Sequence, residues 1–313
     1  MPSLAQLGLP RVPVSYPQVV YSAATGFAAM GTVVQYTMKR TQGVFHYQLH
    51  FTEGALTGGT TPIWLVSATI PIVTHIKLEA DNEVLIDVDS LLLQEYAHMV
   101  GTIATPTGLD FQIPLADHDF THFEEIEQTI FPSWVHSQVI LSLTYATAAA
   151  ALSAGVASSA FTLDITEEDC PRSQINFRPM RVKRLQSSAI ESLVSGSVND
   201  NPTLIAQTGA YKALLFYNAT NNNDTDITKM QIYVNDVALN RDSSWLMEKA
   251  SEAGIFASQT ATARYAFLVW QRARDLSQLF NVADTRVVTS VNLKITNQNA
   301  AAVTLSVMRI LYV

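Results

Sequence analysis

Residues 75–82 read HIKLEADN, and residues 230–236 read MQIYVND. In both stretches apolar and polar side chains alternate and then give way to an Asn/Asp pair, the pattern of a half-buried β-strand that ends in a tight turn. Each stretch is followed by a segment, residues 90–101 and 244–254, that begins with Ser and ends with Gly. Ser favours the start and Gly the end of a helix, so a short helix is predicted after each turn.

The same order of elements continues beyond these two stretches. Further alternating stretches follow in the first half at residues 109–113, 139–143 and 161–165, and in the second half at residues 265–269, 291–295 and 303–307. The corresponding stretches begin 156 (109 to 265), 152 (139 to 291) and 142 (161 to 303) residues apart in a chain of 313 residues, close to the 154 residues between Ile76 and Met230. A repeated order of elements at a nearly fixed spacing indicates a tandem duplication of one β-rich module.

Short strands, clusters of turn residues and few helices favour β-sandwiches of the jelly-roll kind over βαβ units. The predicted fold class is all-β, with two tandem eight-stranded jelly-roll barrels and short helices in the loops. Residues 86–108 and 240–262 are interpreted as insertions in the long connections of the two modules. The polar segment at residues 166–172 combines charge with proline and is the best candidate boundary. The predicted domains are an N-terminal arm at 1–20, a first jelly roll at 21–168 and a second at 169–313.

The first 20 residues differ from the rest of the chain. They contain Pro2, Pro10, Pro13 and Pro17, and Arg11 is their only charged residue. Because proline fixes φ and lacks a backbone donor, this segment is predicted to be an extended arm and not a strand of a sheet. An apolar arm needs a surface to lie on, and the protein's own flank, a partner subunit and a membrane surface all stay open.

The overall composition limits the possible functions. Charged residues make up 15% of the chain, against about 25% in ordinary soluble domains, which indicates a surface covered by neighbours. A net charge of -8 argues against direct binding of nucleic acid, because phosphates are bound by Lys and Arg. The single cysteine, Cys170, excludes an intrachain disulfide and a Cys-based zinc site.

The sequence contains no pattern of a secretory signal peptide and no clear membrane span. A charged segment followed by an apolar core is missing at the N-terminus, so no signal peptide is expected. Residues 54–76 and 144–163 are uncharged, but the first contains two prolines and the second is mostly Ala, Ser and Thr. Both are predicted to be strand and loop, because a spanning helix needs a higher apolar content.

One cluster of ionisable residues is a candidate metal site. Its members are Asp117, His118, Asp119, His122, Glu124, Glu125 and Glu127. On a helix, His118 and His122 would share one face, as metal ligands sometimes do. However, the neighbouring glutamate of a zincin motif is missing, and the corresponding residues 272–276 read RARDL. A solvated, charged helix face is therefore the favoured interpretation, with His118 and His122 as the only candidate metal pair.

No other motif predicts chemistry. Asn222, Asp224 and Asp226 alternate like the start of a calcium loop, but the required Gly and closing Glu are missing, so a plain turn is predicted. Cys170 lies at the predicted boundary and lacks the context of a nucleophile. The sequence contains no Gly-x-Ser-x-Gly elbow, Walker loop or Gly-x-Gly-x-x-Gly motif. No catalytic residue, no cofactor-binding residue and no cofactor are predicted, and the protein is not expected to be an enzyme.

The duplicated pattern, the low charge, the lack of disulfides and the apolar arm together resemble the double jelly-roll major capsid proteins. The closer resemblance is to those of tailless, membrane-containing bacteriophages of the corticovirus and finnlakevirus kind. It depends on residues 75–82 with Leu85, on residues 230–236 with Leu239, and on the final strand that ends at Tyr312-Val313. In that family Gly often follows the Asn or Asp of the turn, whereas Glu83 and Val237 stand at that place here.

The resemblance implies a structural protein of the virion. Three chains with two barrels each would form a pseudo-hexameric homotrimer, and such trimers would tile an icosahedral shell around an internal lipid membrane. The implied partners are further copies of the chain, penton or vertex proteins, and the internal membrane or its proteins through the arm, without direct contact to nucleic acid. Synthesis in the host cytoplasm is expected. Two rivals stay open: a lectin-like or cupin-like carbohydrate- or metal-binding protein, and a minor vertex or spike protein of the same kind of virus.

Overall fold

The computed structural model describes residues 16–100, 103, 105–117, 123–172, 175, 181–201, 209–221, 223–238, 244–246, 248–249, 263–269, 280–281 and 288–313. The first half contains the strands β1 (Tyr16–Gly26), β2 (Val33–Thr37), β3 (Gly43–Gly58), β4 (Val73–Ala80), β5 (Glu83–Asp89), β6 (Asp110–Pro114), β7 (Phe131–Pro132), β8 (Val139–Tyr145) and β9 (Val156–Cys170). Its α-helices are α1 (Ser90–Met99), α2 (Phe123–Thr129) and α3 (Ala148–Ala151), and two 3-10 turns lie at Phe27–Ala29 and Ser133–Val135.

The second half contains only strands as complete described elements. They are β10 (Lys183–Leu193), β11 (Ser197–Asn201), β12 (Ala210–Asn218), β13 (Ile227–Val234), β14 (Val237–Ala238), β15 (Tyr265–Val269), β16 (Phe280–Asn281), β17 (Val291–Asn297) and β18 (Val303–Tyr312).

The strands form three sheets whose order repeats between the halves. One sheet has the order β1-β9-β3-β6 with β7 beside β3, the largest has the order β15-β12-β18-β10-β5-β4-β8-β2 with β16 beside β12, and the third has the order β11-β17-β13-β14. Each half thus contributes two sheets of four main strands. The order β1-β9-β3-β6 corresponds to β10-β18-β12-β15, and β5-β4-β8-β2 corresponds to β14-β13-β17-β11. The predicted duplication and the predicted all-β double jelly roll are therefore confirmed.

The nine-stranded sheet belongs to both halves. It joins one sheet of each half through a short parallel contact between β5 and β10, in which Leu185 pairs with Ile86 and Gln186 with Asp87. All other strand pairs in the described part of the chain are antiparallel, as a jelly roll requires. The two modules are thus connected by backbone pairing as well as by the chain.

The alternation that predicted β4 and β13 places their apolar side chains in the cores. Ile76, Leu78 and Met230 are fully buried, whereas the intervening Lys77 and Gln231 are not. A side-chain period of two residues puts successive residues on opposite faces, so only one face of each strand is apolar. β12 differs, because nearly every residue along it is buried, which is typical of a strand covered on both faces.

The turns after β4 and β13 have the same conformation. Asp81 and Asn82 have φ values of 50° and 67°, and Asn235 and Asp236 have φ values of 49° and 64°. Positive φ at both central residues is the type I′ turn, which matches the twist of a hairpin. Asn and Asp tolerate this conformation better than other non-glycine residues. The hairpin therefore forms without the Gly that the resemblance led us to expect near this place.

The side chain of the first central residue of each turn also accepts hydrogen bonds from the backbone just before the neighbouring strand. The Asp81 carboxylate accepts hydrogen bonds from the backbone N–H groups of Ser137 (2.7 Å) and Gln138 (3.0 Å), just before β8. Asn235 Oδ1 accepts hydrogen bonds from the N–H groups of Thr289 (2.8 Å) and Ser290 (3.2 Å), just before β17. The repeat thus extends to individual hydrogen bonds.

Two details of the sequence interpretation need correction or restatement. Residues 16–20 belong to β1, and residues 16–19 pair with β9, so they are not an extended arm; residues 1–15 lie outside the described part. Pro17 is tolerated there because β1 is the edge of its sheet, where a missing donor costs no ladder bond.

β9 continues to Cys170, so residues 166–170 are strand and the expected domain limit at residue 168 falls inside this strand. The division at 21–168 and 169–313 stays a prediction.

In the described part of the chain, no helix has both the length and the apolar character that crossing a bilayer demands.

Candidate functional site at the junction of the two halves

Helix α1 of the first half covers a sheet of the second half. The helix is capped by Asp89, whose side chain accepts a hydrogen bond from Leu91 N at 2.8 Å. Its buried residues Leu92, Leu93 and Tyr96 belong to the same core cluster as residues of β12, β15 and β18 that point away from the second core. These are Ala213, Leu215, Tyr217, Tyr265, Phe267, Val269, Met308 and Ile310. One apolar core is therefore shared between the halves.

A buried charged cluster lies beside this helix and joins the halves. Asp117, which follows β6, contacts Lys183 at the start of β10 and lies 3.2 Å from Nζ of Lys212 in β12. The three side chains are at most 3% exposed. Lys183 Nζ also donates a hydrogen bond to the Ala116 carbonyl oxygen at 3.2 Å, and it lies 5.7 Å from the ring centroid of Tyr96.

The electrostatics of this cluster favour an ionised carboxylate. Burial alone would raise the pKa of Asp117, but the positive charges of Lys183 and Lys212, together with their hydrogen bonds, outweigh it and hold the pKa below its usual range. A buried pair of this kind is costly to break, since each remaining charge would stay in the apolar interior. The cluster therefore fixes how the two halves meet.

This arrangement corrects the interpretation of residues 117–127 as a solvated helix face. Asp117 and Glu127 are each only 3% exposed, so that interpretation is wrong for both of them. The candidate metal pair, His118 and His122, lies outside the described residues. Within the described part, no group of three or more His, Cys, Asp or Glu side chains is placed to hold a metal ion.

A small cavity of about 280 Å³ opens at the same junction. Its lining includes Gln94 and Glu95 of α1 and Tyr217, Arg264 and Tyr265 of the second half. The two tyrosine rings stack at 4.8 Å, and Arg264 donates a hydrogen bond to the Tyr217 hydroxyl at 3.0 Å. The described lining also includes Thr69, Thr105 and Pro106 of the first half, so the cavity is walled by both halves.

The last residues of β9 carry buried acidic groups. Glu167 is 2% exposed and pairs across the sheet with the fully buried Tyr47. Burial, assisted by the neighbouring Asp169 and opposed by Lys39, raises the pKa of Glu167 to about 7. Glu167 consequently exchanges its proton close to neutral pH.

The remaining candidates of the sequence are structural in the fold. Cys170 is buried, and burial, with the charges of Asp169 and Glu127, raises its pKa to about 11. Since the thiolate is the nucleophile, a thiol with this pKa is inert at neutral pH.

Of the predicted turn, Asn222 lies outside the described residues, and Asp224 and Asp226 are held by side-chain hydrogen bonds. The Asp226 carboxylate accepts hydrogen bonds from the amide groups of Asn218 (2.8 Å), Asn221 (2.9 Å) and Asn299 (2.8 Å). The Asp224 carboxylate accepts from Trp245 Nε1 at 2.9 Å and lies 2.9 Å from Lys249 Nζ. These oxygens are engaged by N–H donors, which supports the turn over a calcium loop.

The sequence reasoning missed Lys183 and Lys212 as partners of Asp117. A signal was present for Lys212, since it is the single charged residue in the otherwise apolar stretch AYKALLFY at residues 210–217. A charge in a strand buried on both faces requires a partner. No nearby feature of the sequence indicates which residue that partner is.

No protein-family model matches the chain, and no curated protein matches its sequence. Several solved structures match its fold over nearly the full length. The structure of the STIV MCP matches with a TM-score of 0.70 and 14% identity, covering 96% of this chain and 97% of that chain. The major capsid protein P2 from bacteriophage PM2 matches with a TM-score of 0.66 and 9% identity, covering 94% and 98%. The PBCV-1 virus capsid matches with a TM-score of 0.59 and 12% identity, covering 97% and 95%.

The chain therefore has the double jelly-roll fold of viral major capsid proteins, as the resemblance predicted. The match includes both modules, because nearly the whole of each chain is covered. A lectin-like or cupin-like two-domain protein is not favoured by these similarities.

Proposed function

We propose that the protein is a structural major capsid protein that builds the shell of an icosahedral virus. The observation that supports this most strongly is the complete duplication of one sandwich, with matching strand order, over almost the full length of solved capsid proteins. The buried charges at the junction and the inert thiol of Cys170 at the end of β9 suit a structural role.

The duplication explains how such a protein covers a surface. Three chains with two similar modules present six modules around a threefold axis, so a homotrimer can occupy a hexagonal position in the shell. The charged fraction of 15% agrees with a molecule whose flanks are covered by neighbours in the virion.

We propose the finer partners on the same basis. Residues 1–15 precede Tyr16, which pairs with Asp169 at one end of the first half, and they would contact neighbouring subunits or an internal membrane from that end. Penton or vertex proteins would complete the shell where the hexagonal positions end. The net charge of -8 suits a shell that does not bind the genome directly.

The oligomeric state of the purified protein tests this proposal. Native mass spectrometry should show a trimer, and electron microscopy of particles from the source should show this protein as the dominant shell component. A monomer or dimer with affinity for sugar or metal would favour a two-domain binding protein instead. Pentamers or elongated fibres would favour a minor vertex or spike protein.

A further inference from the structure

Long stretches of the first half carry no charged side chain. Residues 12–38, 54–76, 96–109 and 128–163 contain no Asp, Glu, Lys or Arg. All 19 basic and 27 acidic residues of the chain therefore lie outside these four stretches. Such a distribution is not expected of a surface that faces only water, where charged residues are frequent.

The four stretches meet at one end of the first half. Gly31 N donates a hydrogen bond to the Ala146 carbonyl oxygen at 3.0 Å, Leu65 N donates to Ala151 O at 2.8 Å, and Ile72 N donates to Gly108 O at 3.0 Å. Each bond joins two of the four stretches, and together they connect all of them. We call this region the charge-free cap and define it as residues 26–33, 58–72, 105–109 and 146–156.

The cap lies opposite the Tyr16 end of β1. β1 runs from Tyr16 to Gly26, so at about 3.3 Å per residue its two ends are roughly 33 Å apart. Several charged residues of the first half lie at the Tyr16 end, although Asp110 and Glu95 border the cap, where Asp110 accepts a hydrogen bond from Thr107 at 2.9 Å. Lys39 and Arg40 follow β2, Asp81 forms the turn after β4, and residues 167–169 end β9.

The cap exposes apolar side chains among small polar ones. Val33 is 59% exposed, Ile63 50%, Leu65 37% and Ile70 38%. The corresponding end of the second half is different, since its loops carry Asp224, Asp226, Lys249 and Arg264. The fold therefore does not impose an uncharged end, and the cap is a property of the first half alone.

The chemistry of the cap selects its partner. Nucleic acid and anionic lipid headgroups are bound by basic residues, and a basic protein would be bound by acidic ones, but the cap has neither. Copies of this chain each carry a net charge of -8, so they can meet without like-charge repulsion only where charges are absent or matched. Depletion of charge with exposed apolar groups is also typical of the core of a protein interface.

We propose that the charge-free cap packs against a second copy of this chain within the trimer. The proposal rests on the trimer of the proposed function and adds the surface that holds it together. Ile63, Leu65 and Ile70 supply the apolar contact, and the surrounding Thr, Ser, Gly and Ala residues allow close approach.

Two single substitutions test the proposal, Ile63→Asp and Leu65→Asp. Each side chain is at least 37% exposed, so the isolated chain should fold. In the trimer each change would bury an unpaired carboxylate, which should raise the dissociation constant measured by native mass spectrometry at least about hundredfold. Val237→Asp is the matched control, because Val237 is 69% exposed in the hairpin of the second half, and its trimer should be unchanged within about threefold.

The possible outcomes distinguish a failure of the proposed cap contact from a failure of the proposed trimer. Leu65→Ser, checked by circular dichroism for retained β-structure, should weaken the trimer less and in the same direction, which guards against a folding defect. A wild-type protein that is not trimeric overturns both the proposed function and the role of the cap. A wild-type trimer that persists in both Asp variants overturns only the cap, even if the variants fail to form particles, since the cap would then contact another trimer or another protein.

Discussion

At the scale of single residues, Asp81 and Asn235 perform the same task in the two halves with different charge. Hydrogen bonds from Ser137 lower the pKa of Asp81 to about 2, against some cost of desolvation, so it is ionised at any ordinary pH. Asn235 offers the same acceptor geometry as a neutral amide. The fold therefore requires an acceptor oxygen at this position and does not require a charge.

Glu167 leads to a prediction on pH dependence. Its pKa is raised from 4.5 to about 7 in the folded protein, so the folded state holds the proton more tightly than the unfolded state. The stability from this group is fully present below about pH 4.5 and is lost as the pH rises through about 7. Glu167→Gln cannot ionise, so its melting temperature should match that of the wild type at about pH 4 and exceed it by about 2–5 °C at pH 8.

The matched control for this prediction is Glu168→Gln on the other face of β9. Glu168 lies 3.2 Å from His46 Nε2, so its substitution removes this contact and should give no gain in melting temperature at pH 8. Scanning calorimetry at both pH values checks the prediction. Parallel pH profiles for Glu167→Gln and the wild type would show that Glu167 does not titrate in this range.

At the scale of elements, the type I′ turn makes Asn82 sensitive to the shape of its side chain. Its φ is 67°, a region that β-branched residues strongly avoid. Asn82→Val should lower the free energy of unfolding by about 1–3 kcal/mol, whereas Asn82→Gly should change it by less than about 1 kcal/mol. Asp236→Val should repeat the effect in the second half, where φ is 64°. Urea denaturation measures all three, and equal stability of Asn82→Val and the wild type would contradict the assigned turn.

The elements also show what the sequence can predict. The alternation of Ile76 and Leu78, and of Met230 and Ile232, is a local signal, so the strands and their repeat were predictable. Residues 16–20 were predicted to belong to the arm and not to a strand because of Pro17; an edge strand tolerates proline, but edge position depends on the whole sheet. The burial of Asp117 was missed because its partners, Lys183 and Lys212, come from strands of the other half, more than 60 residues away.

At the scale of the whole molecule, the Asp117 cluster should control how the halves hold together. Asp117→Ala would deprive two buried lysines of their carboxylate, and it should lower the free energy of unfolding by about 3–5 kcal/mol. Asp87→Ala is the control, since Asp87 and its partner His75 are both more than 40% exposed, and this change should cost at most about 1 kcal/mol. Similar losses for both variants in chemical denaturation would show that the junction does not depend on the buried cluster.

The nine-stranded sheet and the core under α1 both run from one half into the other. Because this pairing and this core cross the junction in the part of the chain that the structure describes, we expect the two modules to move together as one unit. In a closed shell, the change of angle between neighbouring facets would then occur at the contacts between molecules. The curvature of the shell would depend on the contacts between molecules and not on a change of shape within each molecule.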